Sequence, residues 1–196
     1  MKVCDHCGTR TEDSVAVCPE CGGELYLLAR PAGFWIRVGA YVLDGLVTSP
    51  LVVVSFVNLF YFKSLAVLMA VAVVNVLYKP CLEAGFGATV GKMICGLKVI
   101  NDAGAKPSLM QAYMRFLPFL LAAFFGLLAS WAQFHAPGFA AARSFPALNA
   151  LPVPPALTAA TMVFSLLAMA ECTVAAFNER KRALHDYFAN TYCVHK

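Results

Sequence analysis

The sequence predicts an all-α integral membrane protein, a bundle of four membrane-spanning helices that carries a small N-terminal module. Hydrophobic residues make up 60% of the 196 residues and only 13% are charged, compared with about 25% charged residues in a typical soluble domain. The mean hydropathy is +0.70. The apolar residues fall into long runs, and the length of the chain allows about four spans of roughly 20 residues each.

Composition and charge exclude several classes of function. The formal net charge is +4, but the Lys and Arg residues are dispersed among apolar runs. A nucleic-acid-binding surface needs clustered basic residues, so we expect no nucleic-acid partner. The sequence shows no pairing of a nucleophile with a base, and we therefore expect no enzyme activity. Residues 1–30 lack the apolar stretch of a signal peptide, so we expect the first apolar run to remain as a membrane anchor.

The first two predicted spans cover residues 36–58 and 62–79. The first contains Pro50, which a membrane helix tolerates when neighbouring groups bond to the carbonyl that Pro leaves free. Lys63 separates the two apolar runs, and its long side chain can reach the membrane surface.

The second half of the chain contains two further predicted spans, at residues 110–134 and 156–177, joined by a Pro-rich loop. Between the second and third spans, residues 79–108 interrupt the hydrophobicity. Within this stretch, residues 87–100 mix apolar side chains with Lys92 and Lys98. This mixture predicts an amphipathic segment that lies at the membrane surface.

The distribution of Lys and Arg predicts how the chain crosses the membrane, because basic residues accumulate in short cytoplasmic connections. On one predicted side there are only Lys63 and Arg143. We therefore expect both termini to face the cytoplasm, with the protein in the inner (cytoplasmic) membrane. Eleven basic residues fall on that cytoplasmic side: Lys2, Arg10, Arg30, Lys79, Lys92, Lys98, Lys106, Arg180, Lys181, Arg182 and Lys196.

Four of the eight cysteines form a compact motif near the N-terminus. Two residues separate Cys4 from Cys7 and Cys18 from Cys21, and ten residues lie between the two pairs. Two CxxC turns of this kind supply four thiolates in a tetrahedral arrangement, which is typical of a structural zinc site. Rubredoxin-type iron is the alternative, although the first aromatic residue of the chain is Tyr26 and an iron centre would need aromatic residues around it.

The motif predicts a domain organisation of a zinc ribbon at residues 1–25, a hinge at 26–33 and a transmembrane domain at 34–196. A module of this size cannot bury a sufficient core, so the metal ion would stabilise its fold. The module would also be a docking site for a protein partner. Metal binding requires reduced thiols, which agrees with a cytoplasmic N-terminus.

Ionisable residues inside apolar runs are costly in a membrane and are therefore candidate functional residues. Arg37 and Asp44 are two helical turns apart and share one face of the first span. Asp44 is the deeper of the two and needs a partner from another span, a cation or a proton. Glu171 lies inside the fourth span, where we expect it to reach the membrane surface or to pair with Arg115.

The pair of His185 and Asp186 near the C-terminus is a further candidate. These residues could hold a metal ion or carry a proton. We expect instead that Asp186 caps a short helix at the membrane surface or pairs with a basic residue.

From residue 31 onwards, the chain resembles the RDD family of membrane proteins, which is named for one Arg and two Asp residues. The family's Arg falls on Arg37, and its two Asp residues fall on Asp44 and Asp186. Val90, where the family often has Pro, and the long loop at 135–155 depart from the pattern without affecting these charges. The resemblance rests on segments in the family's order: AGFWIR (32–37), GATVGK (87–92), GLKVI (96–100), PSL (107–109) with Arg115, and RALHD (182–186).

The resemblance implies a compact helical membrane domain, and some members of the family are proposed as ion or solute transporters. In the transport hypothesis, Arg37, Asp44 and Glu171 line a polar path, and Asp44 exchanges a proton or cation. In the scaffold hypothesis, the same charges hold the bundle together, and the protein recruits a partner through its zinc ribbon. A water-accessible cavity that reaches Asp44 favours transport, whereas a dry bundle with Asp44 fully paired to Arg favours a structural role. Besides the lipid bilayer, a second copy of the chain is a candidate partner.

Overall fold

Four long apolar helices dominate the structure, a computed structural model that describes residues 2–4, 6–12, 15–27, 30–101, 104–177 and 181–196. The shortest of these helices has 22 residues, which at about 1.5 Å per residue is enough to cross the roughly 30 Å hydrocarbon core of a bilayer. The predicted helical membrane fold is therefore confirmed. Leu28 and Ala29 of the predicted hinge and Arg180 of the basic tail lie outside the described residues. Within the described ranges, the long apolar helices are Phe34–Phe62, Leu65–Phe86, Leu109–His135 and Pro155–Phe177.

The first long helix consists of α1 (Phe34–Val57) and a π-helical turn (Asn58–Phe62). Pro50 has no N–H, so the Leu46 carbonyl, four residues earlier, lacks its usual helical donor. The Ser49 hydroxyl donates to this carbonyl at 2.8 Å, and the helix continues past Pro50. Lys63 ends the helix in the left-handed conformation, with φ of 50°.

The turn into the second long helix is closed by the buried side chain of Asn58. Its Nδ2 donates to the Ser64 carbonyl at 3.0 Å, and its Oδ1 accepts from the Ser64 N–H at 2.9 Å. The second helix, α2 (Leu65–Phe86), continues past Pro80 and so extends beyond the predicted end of the span at residue 79. The additional turns carry Glu83 into the interior of the protein.

The predicted amphipathic segment at 87–100 contains a short helix and a strand. α3 spans Val90–Ile94, and β4 spans Leu97–Asn101. β4 pairs antiparallel with β5 (Thr191–His195) along its whole length. The first residues of β4 alternate between buried and exposed positions, as expected for a strand with one covered face. This two-stranded sheet was not predicted from the sequence.

The third and fourth long helices follow. α4 (Leu109–His135) begins with a capping box, in which the side chains of Ser108 and Gln111 each accept from the other residue's backbone N–H. After the short helix α5 (Phe145–Asn149), the fourth long helix consists of α6 (Pro155–Ala170), a 3₁₀ turn (Glu171–Thr173) and α7 (Val174–Phe177). The short helix α8 (Leu184–Phe188) precedes β5.

The long helices do not all pack against one another. α4 packs against both α2 and α6, whereas α1 packs mainly against α3 and to a smaller extent against α2. A cleft therefore remains between α1, α2 and α4. Within the apolar stretches of the four helices, 6% to 18% of the residues are buried, which is compatible with contact with a lipid bilayer.

The N-terminal strands β1 (Lys2–Cys4), β2 (Arg10–Thr11) and β3 (Leu25–Leu27) form an antiparallel sheet in the order β2-β1-β3. In the predicted hinge, the Arg30 carbonyl accepts from the His195 N–H, and the Ala32 N–H donates to the Cys193 carbonyl, both at 2.9 Å. Residues 30–32 are therefore attached to β5. The domain boundaries at 1–25, 26–33 and 34–196 stay a prediction.

At the end of the bundle remote from β4 and β5, Lys63 fastens the loop between α4 and α6. Its Nζ donates to the carbonyl oxygens of Phe139, Ala140 and Ala142 at 2.6, 2.8 and 2.7 Å. The same ammonium group lies 5.0 Å from the centre of the Phe139 ring. Phe139, Ala142 and Leu148 form a buried apolar cluster beside it.

Candidate functional site

The four cysteines of the N-terminal motif come together in the structure. The Gly8 N–H donates to the Cys4 carbonyl at 2.9 Å, and the Gly22 N–H donates to the Cys18 carbonyl at 3.0 Å. Both glycines have positive φ values, 73° and 70°, a conformation that costs glycine little and other residues more. These two tight turns place four Sγ atoms within 4.8 Å of one another, those of Cys4, Cys7, Cys18 and Cys21.

The geometry of the cysteine cluster fits a tetrahedral metal ion. With Zn–S bonds of about 2.3 Å, the sulfur atoms of a tetrahedral site lie about 3.8 Å apart. The Sγ atoms of Cys4 and Cys21 are 3.3 Å apart, and those of Cys7 and Cys18 are 3.5 Å apart. A Cβ atom at Gly23 would lie only 3.2 Å from the Cys4 Sγ, so glycine keeps this side of the cluster open. The four thiols can therefore hold one metal ion.

A second cluster, made of ion pairs, joins the helices at the end of the bundle that carries β4 and β5. Arg37 on α1 donates from Nη1 to Asp186 Oδ2 at 2.6 Å, across 149 residues of sequence. Its Nη2 donates to the Lys181 carbonyl at 2.6 Å and its Nε to the Ala32 carbonyl at 3.2 Å. Asp186 Oδ2 also accepts from the Ala183 N–H at 3.0 Å. Asp186 thus pairs with a basic residue and also caps α8.

Arg115 on α4 extends this cluster to α2 and α3. Its Nε donates to Glu83 Oε2 at 2.9 Å, and its Nη1 donates to Asp186 Oδ1 and, at 2.5 Å, to Thr191 Oγ1. Lys92 on α3 pairs with Glu83 Oε1 at 2.5 Å. We refer to the five ion-paired residues as the clasp, which consists of Arg37, Glu83, Lys92, Arg115 and Asp186.

The clasp is buried, and every oxygen of its two carboxylates is paired with a cation. The side chains of Glu83, Arg115 and Asp186 are 0% exposed. Burial raises the pKa of Asp186, but the charges of Arg115 and Arg37 lower it by more, so this pKa lies well below its ordinary value. Asp186 therefore remains ionised. Removing one member of such a cluster leaves an uncompensated buried charge.

Asp44 does not belong to the clasp. Its Oδ1 accepts from the Tyr78 hydroxyl at 2.9 Å and from the Gly91 N–H at 2.8 Å, and its Oδ2 accepts from the Thr89 hydroxyl at 2.6 Å. Arg37, which shares a face of α1 with Asp44, forms its ion pair with Asp186. In the described part of the chain, Asp44 has no ion pair with Arg, so the sequence-based criterion for a structural role is not met.

The approach of α3 to α1 at Asp44 depends on Gly91. A Cβ atom at this position would overlap the Ala40 carbonyl oxygen and would lie 2.9 Å from Asp44 Cγ. Thr89 is the N-cap residue of α3, so Asp44 accepts from two groups at the start of this helix, where N–H groups lack helical partners. Asp44 therefore fixes α3 against α1.

A cavity of about 350 Å³ occupies the cleft between α1, α2 and α4 and reaches Asp44. Thr48, Asn75 and Tyr78 add polar groups to its wall. Its basic lining residues are Arg37, Lys79, Lys92 and Arg115.

The sequence-based expectation for Glu171 is wrong. It was expected to reach the membrane surface or to pair with Arg115, but it is 4% exposed, and its Oε1 lies 2.8 Å from His185 Nδ1. The position of α8 is the physical reason: it brings His185 to Glu171, while Arg115 pairs with Glu83 and Asp186. Burial lowers the pKa of His185 and outweighs the opposing effect of Glu171, so this pKa lies below its ordinary value.

Two charged members of the clasp were missed from the sequence, Glu83 and Lys92. Both stand in a stretch whose charges resemble those of a surface loop. A signal was nevertheless present, because Glu83 is the one charged residue between Lys79 and Lys92. An isolated acid in an otherwise uncharged stretch is a candidate for a buried ion pair.

The ion-paired Arg37 and Asp186 lie within the segment, residues 31–190, that matches the RDD family. The chain belongs to the RDD family. The match covers the four long helices, the clasp and Asp44, and it leaves the cysteine cluster outside. In this RDD protein, the Arg and the second Asp that the resemblance singled out are in contact with each other, whereas the first Asp has neutral partners.

Two proteins of Bacillus subtilis (strain 168) are similar to this RDD protein. YxaI is 34% identical over 48% of this chain and 79% of its own length. YckC is 35% identical over 44% of this chain and 57% of its own length, so the aligned region spans somewhat more than half of that relative. Both relatives are described as uncharacterized, so they suggest no activity. No solved structure matches the chain.

Proposed function

We propose that this RDD protein binds an ion or small solute in the cavity beside Asp44 and carries it across the membrane. The observation that supports this proposal is a cavity of about 350 Å³ that reaches an acid inside a long apolar helix. An acid at such a position is costly, so solute contact is its default functional interpretation. Because the hydrogen-bond donors around Asp44 are neutral, its negative charge remains available to a cation or proton.

The clasp has a structural part in this proposal. All four carboxylate oxygens of Glu83 and Asp186 are occupied by cations of the protein. A solute could reach these oxygens only by breaking a buried ion pair, which is strongly unfavourable. Solute binding is therefore assigned to Asp44 and the polar groups near it.

The substitution Asp44→Asn tests the transport proposal. Asn can keep its carbonyl oxygen towards Tyr78 and Gly91 and turn its amide N–H towards the Thr89 hydroxyl oxygen. The variant should therefore insert and fold like the wild type, yet lose pH- or ion-dependent flux in proteoliposomes. Ser55→Ala, further along α1 and outside the cavity lining, is the control and should keep the flux. A folded Asp44→Asn protein with wild-type flux would exclude this role for Asp44.

The alternative function is a non-transporting membrane scaffold that recruits a partner through its N-terminal module. It is supported by the clasp, whose charged groups are used for packing. In this case the wild type shows no flux for any ion tested, and no variant at Asp44 changes that. Flux of the wild-type protein thus distinguishes the two functions.

We also propose that the cysteine cluster holds one zinc ion and that the N-terminal module is a zinc ribbon. The four-sulfur donor set and its spacing support zinc, which would cross-link strands too short to bury a core. Metal analysis of the purified protein should find one zinc per chain, and Cys4→Ser should lose it while the four long helices stay inserted. Finding iron, or no metal after gentle purification, would contradict the proposal.

We further propose that both termini face the cytoplasm, in the inner membrane of a bacterial cell. Support comes from the excess of Lys and Arg on one side. Single cysteines at Ala105 and Ala141, both exposed, can be probed with a membrane-impermeant thiol reagent in a background without the native cysteines. Ala141→Cys should react in intact cells and Ala105→Cys should not. The opposite pattern would reverse the orientation.

A further inference from the structure

The lining of the cavity is basic at the end of the cleft nearest the clasp. Among the described lining residues are four cations, Arg37, Lys79, Lys92 and Arg115, but a single acid, Asp44. The carboxylates that pair with the clasp cations belong to residues that do not line the cavity. Three of these cations, Arg37, Lys92 and Arg115, share the two carboxylates of Glu83 and Asp186, so the clasp keeps an excess of one positive charge at this end of the cavity. We refer to the four cations as the basic rim.

The wall of the cavity on the α4 side is apolar. Phe116, Phe119 and Ala123 on α4 form this wall together with Tyr41 on α1. The ring centres of Tyr41 and Phe119 are 6.3 Å apart, and those of Phe116 and Phe119 are 5.8 Å apart. Lys79 Nζ lies 4.7 Å from the centre of the Phe119 ring. The positive charge of the rim is thus located where the apolar wall begins.

The wall leads from the rim towards the interior of the bilayer. From Arg115 to Ala123, the lining follows about two turns of α4, or roughly 12 Å, which is most of one leaflet of a hydrocarbon core about 30 Å thick. α1 packs mainly against α3 and α2, and Tyr41 on α1 faces Phe119 on α4 across the cleft. A basic rim continued by an apolar groove matches a molecule with an anionic head and an acyl chain.

We propose that an anionic phospholipid binds in this cleft, with its phosphate at the basic rim and one acyl chain along Phe116, Phe119 and Ala123. A free phosphate would use the rim alone and leave the aromatic wall without a partner. The proposal does not rest on transport, because the contacts that it invokes, the basic rim and the wall on α4, do not include Asp44.

Binding of two lipids with identical chains tests the proposal. Purified, delipidated protein is mixed with phosphatidylglycerol or phosphatidylcholine, and retention is measured by native mass spectrometry and stabilisation by thermal unfolding. Phosphatidylglycerol should be retained and should raise the unfolding temperature more than phosphatidylcholine does. Lys79→Gln should bind it about fivefold more weakly, the effect of removing one basic group near an anionic lipid. Ala123→Phe fills the groove without changing any charge and should also weaken binding.

The control is Lys98→Gln, which removes an exposed lysine on β4 that does not line the cavity and should leave binding unchanged. Equal retention of the two lipids, or equal losses in Lys79→Gln and Lys98→Gln, would overturn the proposal. So would inorganic phosphate that stabilises the protein as much as the lipid does. If Lys79→Gln does not fold, Ala123→Phe decides the question. Asp44→Asn should bind the lipid at least as well as the wild type, whatever its flux.

Discussion

Replacing Asp186 by Asn tests whether the clasp holds the helices together. The Asp186 carboxylate accepts from Arg37, Arg115 and the Ala183 N–H. Asn retains the shape and one acceptor oxygen, but it removes the charge and turns an amide N–H₂ group towards a guanidinium group. Because the side chain is 0% exposed, water cannot replace the lost partner. Removal of one partner from a buried ion pair costs about 3–5 kcal/mol, and we expect the free energy of unfolding to fall by that amount.

The measurement is reversible unfolding of the purified protein in mixed micelles, followed by circular dichroism as the share of denaturing detergent increases. Glu12→Gln, at an exposed acid in the N-terminal module, is the control and should change the free energy of unfolding by less than about 0.5 kcal/mol. Asp186→Asn combined with Arg37→Gln should cost less than the two single variants together, because the two residues are in contact. A loss below about 1 kcal/mol, or strictly additive effects, would refute the structural role of the clasp.

The pKa of Asp186 also gives the clasp a pH dependence. In the folded protein this pKa lies below its ordinary value of 3.8, so the ionised carboxylate stabilises the folded state at every pH above that value. As the pH falls below 3.8, the unfolded chain binds a proton before the folded one does, and the stabilisation is progressively lost. The wild type should therefore lose stability in this range, and Asp186→Asn should lack that part of the slope.

Two further predictions concern the contacts of α3 and of Lys63. Gly91→Ala should lower the free energy of unfolding by about 1–3 kcal/mol, because the added methyl group overlaps the Ala40 carbonyl oxygen. The control, Gly85→Ala, lies in a helix with open space around it and should raise the free energy of unfolding by roughly 0.5–1 kcal/mol. Similar losses in both variants would contradict the steric role assigned to Gly91. Lys63→Met removes three hydrogen bonds to the loop between α4 and α6, so hydrogen exchange of residues 139–148 should accelerate, whereas Lys98→Met should leave it unchanged.

The long helices could be predicted because a span is a local property of the sequence. About 20 consecutive apolar residues are required wherever the chain crosses a bilayer, and such runs are visible without knowledge of the partners. The sequence also predicted that Asp186 caps a short helix or pairs with a basic residue. In the structure it does both, and Arg37 is one of its basic partners, at 2.6 Å.

The partners of Asp44 and the position of Glu83 could not be predicted, because both depend on non-local packing. Pro80 suggested the end of the second span, yet α2 continues to Phe86 and buries Glu83. Thr89 and Gly91 reach Asp44 only because α3 packs against α1. Hydrophobic periodicity indicates which face of an element is covered, but it does not show which other element covers it.

The long sequence separation within the clasp determines when the bundle can close during synthesis. Arg37 precedes Asp186 by 149 residues, so the ribosome makes all four long helices before the carboxylate that joins Arg37 to Arg115. Before Asp186 is made, Arg115 can pair with Glu83, but Arg37 lacks its acidic partner in the clasp, which is Asp186. Insertion of the helices and assembly of the bundle are therefore separate events in time. A nascent chain that stalls before Asp186 therefore leaves Arg37 and Arg115 without the carboxylate that joins α1 to α4 in the finished protein.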